Sequence, residues 1–305
     1  MARALILCPT HDHADALLFS IASVRAQTVE DWRMVVIGDG APPRTAAIVG
    51  AIAAQDPRVE WRAHPKGGRY GEAYRDPVIR AAAEPLICHL SDDDVWAPDH
   101  LATMLALLED AEFAGQAPIR MDPAGRADWW PTNHGHPAMR AAVRAKRGIT
   151  AGINYVAYRR EAYLALPEGW SPAPPGGPSD QFMWGKFMAR EGLRVAASAA
   201  STALKLPSRG SGRAGRAPVD RAAELGPWLA RIGAPGMMEG LRRGASIGMR
   251  TAQLAGLPEA AEAEDWEAAF AALGLRPVDA EAGAPAALDG APMDLPMTAA
   301  QRAEA

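Results

Sequence analysis

The first hundred residues alternate short apolar runs with segments in which apolar side chains recur at helical spacing. This alternation restricts the fold more than any other feature of the chain. Continuous apolar runs predict strands at residues 4–8, 33–37, 59–62 and 86–90. The spacing between them predicts helices around residues 17–24, at 45–54, at 72–83 and from Pro98 onward. Such an alternation favours a parallel sheet covered on both faces, so the predicted fold class is α/β.

Polar residues follow three of these strands at the point where each strand ends. They occupy residues 10–13, 38–40 and 91–94. In sheets of this kind, ligands bind beyond the carboxyl ends of the strands. A single site is therefore expected where the three polar segments meet.

The last of these segments contains three consecutive aspartates, Asp92, Asp93 and Asp94. Adjacent carboxylates repel one another, and a cation between them removes that cost. Carboxylate oxygens suit Mg²⁺ or Mn²⁺, which typically bridge one or two carboxylates to substrate phosphates. The alternative is a solvated turn in which an aspartate caps the helix that starts at Pro98. The position directly after an apolar strand favours the metal site.

Composition excludes several other classes of protein. The chain has 305 residues, 49% of them hydrophobic, which suits one large domain with an appendage. The formal net charge of -4 argues against general nucleic-acid binding, which usually requires a basic surface. No apolar run reaches the roughly 18 to 20 residues that span a bilayer, and no signal peptide is expected at the N-terminus. The two cysteines, Cys8 and Cys88, lie in apolar strands, so reduced thiols and a cytoplasmic location are expected.

The second half of the chain is less regular. A strand is predicted at residues 152–159, a helix from Ser179 to Glu191, and a strand with a turn at 193–206. Helices follow from Val219 to about Leu273, with breaks at prolines 235 and 258. The predicted organisation is a domain at residues 1–218, a helical C-terminal segment at 219–275 and a poorly ordered tail at 276–305. The helical segment could pack on the domain, form a homodimer or rest on the inner face of a membrane.

At this point three motifs resemble the ordered signature of family 2 glycosyltransferases with the GT-A fold. They are residues 9–12, 36–40 and 90–98, and the resemblance covers about residues 4–206. It implies a mixed, mostly parallel sheet flanked by helices. It also implies an inverting transferase of the hexosyltransferase type that depends on Mn²⁺ or Mg²⁺. The implied donor is a nucleotide-diphosphate sugar, expected to be a UDP-sugar, and the acceptor is a hydroxyl of a saccharide or another molecule.

The resemblance assigns roles to residues on the nucleotide side of the site. Thr10 and Asp39 match positions that recognise the base, where a carboxylate can accept the imide N–H of uracil. Gly38 stands where the family often has a second aspartate, so Asp39 is expected to act alone. Arg75 matches an arginine near the donor nucleotide, and a surface helix arginine is the alternative.

Within the aspartate triplet, Asp92 matches the ribose-side carboxylate and Asp93 matches the metal ligand, with help from Asp92 or Asp94. Ser91 replaces a frequent aspartate, which leaves the division of roles open. Asp180, near the start of the helix that follows a Pro/Gly-rich loop, resembles the general base that deprotonates the acceptor. The alternative for Asp180 is a favourable interaction with the helix dipole.

Other side chains are weaker candidates for the same site. A Gly-rich segment with Arg209, Arg213 and Arg216 could close over the diphosphate, and Lys205 is a comparable candidate, although a solvated loop is equally expected. Four tryptophans could stack on acceptor sugars, but core packing is commoner for this residue. They are Trp129, Trp130, Trp170 and Trp184.

Three alternative functions remain to be tested. A sugar-phosphate nucleotidyltransferase shares a related sheet but would show a Gly-rich, basic loop after the first strand. A non-catalytic nucleotide-sugar-binding protein is compatible with the departures at Gly38 and Ser91. A zinc hydrolase could use two histidine pairs, but it leaves the aspartates unexplained. These pairs are His11 with His13 and His134 with His136.

Overall fold

Two β-sheets flanked by helices form the observed architecture. The computed structural model describes residues 2–121, 127–129, 132–145, 151–175, 177–206 and 217–255. The strands are β1 (Ala4–Thr10), β2 (Trp32–Asp39), β3 (Val59–His64), β4 (Leu86–His89), β5 (Val95–Trp96), β6 (Phe113–Gln116), β7 (Ile119–Met121), β8 (Ala127–Trp129), β9 (Val156–Arg159), β10 (Val195–Ser198) and β11 (Ala203–Lys205).

Nine α-helices are described in these residues. They are α1 (Ala14–Arg25), α2 (Pro43–Ala53), α3 (Arg75–Ala81), α4 (His100–Leu107), α5 (Pro137–Arg144), α6 (Arg160–Leu164), α7 (Ser179–Met188), α8 (Pro218–Ile232) and α9 (Met237–Ala255). Short 3₁₀ turns at Glu72–Tyr74 and Ile153–Tyr155 precede α3 and β9.

The larger sheet has seven strands in the order β10-β6-β9-β4-β1-β2-β3. Its pairings are parallel except at β9, which runs antiparallel to both β4 and β6. The smaller sheet has the order β5-β11-β7-β8. The prediction of an α/β fold with a mixed, mostly parallel sheet is confirmed.

The register of the central strands places the predicted polar segments at one edge. Thr10 at the end of β1 lies opposite Gly38 of β2, and Leu7 lies opposite His89 at the end of β4. These three strands are buried almost throughout, because both faces of the sheet are covered. The apolar runs therefore form the core and place residues 10–13, 38–40 and 91–94 at the same end of the sheet.

Several predicted boundaries differ from those observed. The helix predicted at residues 72–83 is divided into a 3₁₀ turn and α3, and only the second half of the strand predicted at 152–159 is a strand. The helix expected to begin at Pro98 begins at His100. Asp99 is its N-cap residue, and the Asp99 side chain makes no capping hydrogen bond. The aspartates of the triplet therefore do not serve as a cap for α4.

The helical segment after residue 218 packs against the sheet domain through α8. Leu225 joins Ala16 of α1 in a second apolar cluster, and the ring of Phe19 lies against Gly226. The break predicted at proline 235 falls between α8 and α9. The basic segment at 209–216, the break at proline 258 and the tail at 276–305 lie outside the described residues.

The two cysteines occupy neighbouring strands. Cys8 lies in β1 and Cys88 in β4, and both are buried, free thiols. Burial raises the pKa of Cys88 to about 12, which keeps it protonated and unreactive. Across the described ranges, no helix is both long and apolar enough to cross a bilayer.

Three buried histidines make the fold sensitive to acid. Burial lowers the pKa of His89, that of His100 to about 3 and that of His134 to about 4. The unfolded chain takes up these protons near pH 6.5, whereas the folded chain does not. Stability should therefore be fully present above pH 6.5 and fall as the pH decreases toward 4, by about 1.4 kcal/mol per pH unit for each histidine.

Urea unfolding at pH 7 and pH 5 measures this effect. We expect a markedly lower free energy of unfolding at pH 5, and a less steep decrease for His100→Asn than for the wild type. His100 is fully buried, stacks on Trp96 and bonds to Thr202 through Nδ1 at 2.8 Å. Equal stability at the two pH values would show that these histidines titrate normally in the folded protein.

Candidate active site

The three aspartates after β4 have different surroundings. Asp94 is fully buried and accepts hydrogen bonds from the Leu206 amide at 2.7 Å and from the Asn154 side chain. Asn154 also accepts the Ser91 N–H at 2.6 Å through its own oxygen. Both carboxylate oxygens of Asp94 are thus bonded to the protein. The expectation that Asp94 helps to hold a metal is therefore weakened, and its observed contacts fasten β4 to the ends of β9 and β11.

Asp92 and Asp93 instead face His13, which precedes α1. Nδ1 of His13 lies 3.0 Å from Asp92 Oδ1 and 3.6 Å from Asp93 Oδ2. Burial alone would lower the pKa of His13, but the hydrogen bond to Asp92 and the nearby carboxylates raise it to about 8. Within the described part of the chain, these residues form the one group of three potential metal ligands. Their ligand atoms all lie within 4.8 Å of one another.

This donor set fits a divalent cation. Two carboxylates supply the hard oxygen ligands that Mg²⁺ and Mn²⁺ prefer, and imidazole nitrogen also suits first-row metals. The sequence had indicated Asp93 with help from Asp92 or Asp94, whereas the geometry brings together His13, Asp92 and Asp93. His13 was missed as a partner because its distance to the triplet depends on the pairing of β1 with β4.

A second unpredicted neighbour of Asp93 comes from the C-terminal segment. Arg221 of α8 is fully buried, and its Nη2 donates to Asp93 and, at 3.0 Å, to the carbonyl of Leu206. Asp93 itself is only 1% exposed. No pattern in the sequence signals this ion pair, because its two residues are 128 positions apart.

At the end of β2, Asp39 is held by the loop that follows β3. Its carboxylate accepts the Gly67 N–H at 2.6 Å and the Lys66 ammonium at 2.5 Å. Gly71 has a φ of +61°, and a Cβ there would lie 2.7 Å from Asp39 Cγ. Glycine is thus required at this close approach. The carboxylate is buried, ionically paired and held in one orientation.

The glycine at position 38, where the resemblance led us to expect a second aspartate, has a steric explanation. A Cβ on Gly38 would lie 2.3 Å from Cη2 of Trp61. The indole of Trp61, on the neighbouring strand β3, fills the space that a side chain at position 38 would occupy. The site therefore has one carboxylate at the end of β2.

Thr10 and Arg75 present unused polar atoms in the same region. The hydroxyl of Thr10 is buried, and no hydrogen-bond partner for it is found among the described residues. Arg75 is also buried, and its guanidinium stacks on Trp170 at 4.4 Å. Nη2 of Arg75 lies 3.4 Å from the Tyr70 carbonyl, while Nε and Nη1 have no hydrogen-bond partner in the described ranges. Buried donors without partners are costly, which favours a ligand at this position.

Asp180 lies in the first turn of α7 and is partly buried. Burial raises its pKa above the usual value, against the opposing effects of the Gln181 N–H and of the positive charges of Lys205 and Arg75. These interactions place Lys205 and Arg75 in the surroundings of Asp180. A carboxylate with a raised pKa in a partly buried position is suited to accept a proton.

Arg69 links the loop after β3, which holds Asp39, to the segment that precedes Asp180. It adopts the left-handed backbone region, with a φ of 55°. Its guanidinium donates to the carbonyls of Ala173, Pro174 and Gly177 at 3.2, 2.5 and 2.6 Å. No local sequence pattern predicts this contact, which joins positions more than a hundred residues apart.

The candidate tryptophans and the arginines of the 209–216 segment either lie in the core or fall outside the described residues. Trp170 and Trp184 are core residues, 3% and 0% exposed, so Trp184 is not available to stack on a sugar. Trp130, the side chain of Trp129 and the three arginines of the 209–216 segment lie outside the described residues.

The histidine pairs do not assemble into a zinc site. His13 bonds to Asp92, whereas the ring of His134 packs edge-on against Phe113. His11 bonds to the Asp39 carbonyl, and His136 accepts the N–H of Ala138 at the start of α5. The alternative of a zinc hydrolase is therefore wrong for the described residues.

Fold and site together define a glycosyltransferase of the GT-A type. A family model described as Glycosyl transferase family 2 matches residues 5–165, just over half of the chain. The protein belongs to glycosyl transferase family 2, and it is an enzyme of that class. Family membership removes the support for a nucleotidyltransferase or a non-catalytic binding protein.

One curated relative is the succinoglycan biosynthesis protein ExoW of Rhizobium meliloti (strain 1021). It is 32% identical over 103 residues, which is 33% of this chain and 32% of that protein. The chain thus matches about a third of the length of this relative.

Among solved structures, one shows the same fold and another is more distantly similar. TarS of S. aureus superposes with a TM-score of 0.51 at 14% identity, over 67% of this chain and 36% of TarS. The mannosyltransferase PcManGT of Pyrobaculum calidifontis, solved with GDP-Man and Mn²⁺, gives a TM-score of 0.48 at 18% identity. That match covers 89% of this chain and 80% of PcManGT.

The contacts of Asp94 predict a structural effect of its replacement. In Asp94→Asn, the new amide cannot accept hydrogen bonds from both Leu206 and Asn154, so one buried donor loses its acceptor. We expect a loss of about 1–3 kcal/mol in the free energy of unfolding, measured with urea in metal-free buffer. The exposed Asp110→Asn is the control and should behave like the wild type. Unchanged stability of Asp94→Asn would contradict the structural role.

Proposed function

We propose that the enzyme transfers a hexose from a nucleoside-diphosphate donor, expected to be a UDP-sugar, to an acceptor hydroxyl with inversion at the anomeric carbon. The proposal depends on one observation, that Asp39 and the His13–Asp92–Asp93 group lie at the same edge of the sheet. The buried carboxylate of Asp39 lies at the end of β2, and the His13–Asp92–Asp93 group lies at the ends of β1 and β4. This arrangement supports a role for Asp39 in binding the nucleotide base and for the His13–Asp92–Asp93 group in binding a cation.

The nucleotide would bind on the side of Asp39. Lys66 pairs with the Asp39 carboxylate, and a carboxylate can accept the imide N–H that uracil offers. The unused Thr10 hydroxyl and the Arg75 donors lie in the same region. Arg75 also brings a positive charge that favours the anionic donor. Asp92, at 9% exposure, is the carboxylate of the triplet that is most accessible to a ribose hydroxyl.

His13, Asp92 and Asp93 would hold a divalent cation, Mn²⁺ or Mg²⁺. When bound, such an ion neutralises charge on the departing diphosphate. The role of the protein is to place the carboxylates at one point and to keep Asp93 away from water. Asp94 would contribute indirectly, since its contacts fix the chain around Asp93.

Asp180 is the proposed general base. Its carboxylate would take the proton of the acceptor hydroxyl while the acceptor oxygen forms a bond to the anomeric carbon. The bond between that carbon and the diphosphate oxygen breaks on the opposite face, which inverts the centre. Arg69 lies in the loop after β3 that holds Asp39, and it bonds this loop to the segment before Asp180, so the base and the donor would be held together.

The acceptor is a saccharide or another hydroxyl compound, and no nucleic acid is expected as a partner. A cytoplasmic location is also proposed, because two buried, free cysteines suit a reducing compartment.

Donor binding can be tested by thermal shift with nucleotides and nucleotide sugars, with and without Mn²⁺. UDP with Mn²⁺ at about a hundred times its dissociation constant should stabilise the fold by about 2.7 kcal/mol, which raises Tm by ~5 °C or more. Asp92→Asn should lose the metal-dependent part of the shift, and Asp110→Asn should keep it. If no nucleoside diphosphate gives a metal-dependent shift, the proposed donor class is wrong.

The base is tested by Asp180→Asn. We expect kcat to fall by about 10²–10⁴-fold while the thermal shift with UDP and Mn²⁺ is retained. Because the pKa of Asp180 is raised, the wild-type kcat/KM should decline on the acid side at a pH above the normal range of aspartate. This decline should be absent from any residual activity of the variant. The exposed Glu191→Gln, just after α7, is the control, and retained transfer by Asp180→Asn would remove Asp180 as the base.

A further inference from the structure

Arg221 of α8 connects the C-terminal segment to the aspartate triplet. Its guanidinium is 0% exposed and bonds to Asp93, which is 1% exposed. The same oxygen of Asp93, Oδ2, lies 3.6 Å from His13 Nδ1. The Arg221 guanidinium therefore contacts the same oxygen of Asp93 that lies near His13 in the candidate metal-binding group. Arg221 lies beyond residue 165, where the family match ends.

The position of Arg221 is fixed by more than the ion pair. Its Nη2 also donates to the Leu206 carbonyl, and the Leu206 N–H donates to Asp94. Leu225, one turn further along α8, packs in the apolar cluster that includes Ala16 of α1. Separating the members of a buried ion pair is strongly unfavourable. We therefore expect the Arg221–Asp93 pair to persist in the folded protein.

We propose that Arg221 is a positioning residue that cancels the charge of Asp93 and thereby makes divalent-cation binding depend on the nucleotide. With Asp93 neutralised, the cation is held mainly through Asp92 and His13, and Asp92 supplies the one uncompensated carboxylate of the His13–Asp92–Asp93 group. One uncompensated carboxylate holds a divalent ion weakly. The diphosphate supplies the missing negative charge, so the ion and the nucleotide bind together. This inference rests on the proposed function, because the diphosphate is the expected co-ligand.

The physical argument is one of local charge. A unit positive charge a few ångströms from a divalent ion opposes its binding by more than 1 kcal/mol even at the dielectric constant of water. Loss of that charge should strengthen binding of the bare ion by at least about tenfold. The strengthening should be largest without nucleotide, because a bound diphosphate already compensates the cation.

Mn²⁺ binding to the full chain tests the inference, with free Mn²⁺ followed by electron paramagnetic resonance in the presence and absence of UDP. Arg221→Gln should bind bare Mn²⁺ at least about tenfold more tightly than the wild type, and UDP should enhance its binding less. Arg231→Gln removes an exposed arginine of the same helix and should match the wild type.

The double variant Asp93→Asn/Arg221→Gln keeps the test decisive if Arg221→Gln does not fold, since replacing both members of a buried ion pair is better tolerated than replacing one. Its bare Mn²⁺ affinity should stay within about threefold of the wild type, because the removed charges sum to zero. An unchanged affinity in folded Arg221→Gln, or a loss of about tenfold or more in the double variant, would overturn the inference. Wild-type protein that binds Mn²⁺ neither alone nor with UDP would instead refute the proposed function.

Discussion

Three carboxylates are removed from water at the carboxyl end of β4, and the structure around the site depends on how their charges are compensated. Asp94 is bonded on both oxygens by Asn154 and Leu206, and Asp93 is paired with the buried Arg221. Asp92, the most exposed of the three, bonds to His13. Each compensating group comes from a different part of the chain. The burial of one short segment thus ties β9, β11, α8 and the start of α1 to the same point.

The same requirement explains why the C-terminal helix belongs to the site. The family 2 match, which ends at residue 165, already includes strands β1 to β9 and the aspartate triplet. Arg221 adds a fixed positive charge from outside that range. In the proposed site, the donor binds at the sheet edge and α8 supplies a compensating charge. Arg69 makes a comparable link, since it bonds the loop after β3 to the carbonyls before Asp180.

Departures from the family pattern follow from local packing. Gly38 replaces a frequent aspartate because the Trp61 indole lies where its side chain would be. At Ser91, the backbone N–H donates a hydrogen bond to the side-chain oxygen of Asn154. The site retains Asp39, Asp92 and Asp93, the carboxylates on which the donor proposal depends. Each departure leaves a neighbouring aspartate in a buried, oriented position.

The sequence by itself determined the α/β class, the central strands and the edge at which the site lies, because long buried strands require continuous apolar runs. It did not predict the short strands β5, β7, β8 and β11 individually, since two or three residues carry too little periodicity. Membership in the GT-A class followed from motif order. Only the tertiary structure decided that Asp94 accepts hydrogen bonds from Asn154 and Leu206 and that His13 and Arg221 face Asp93. Those contacts join residues up to 128 positions apart, and their energies come from burial and charge pairing that no local pattern encodes.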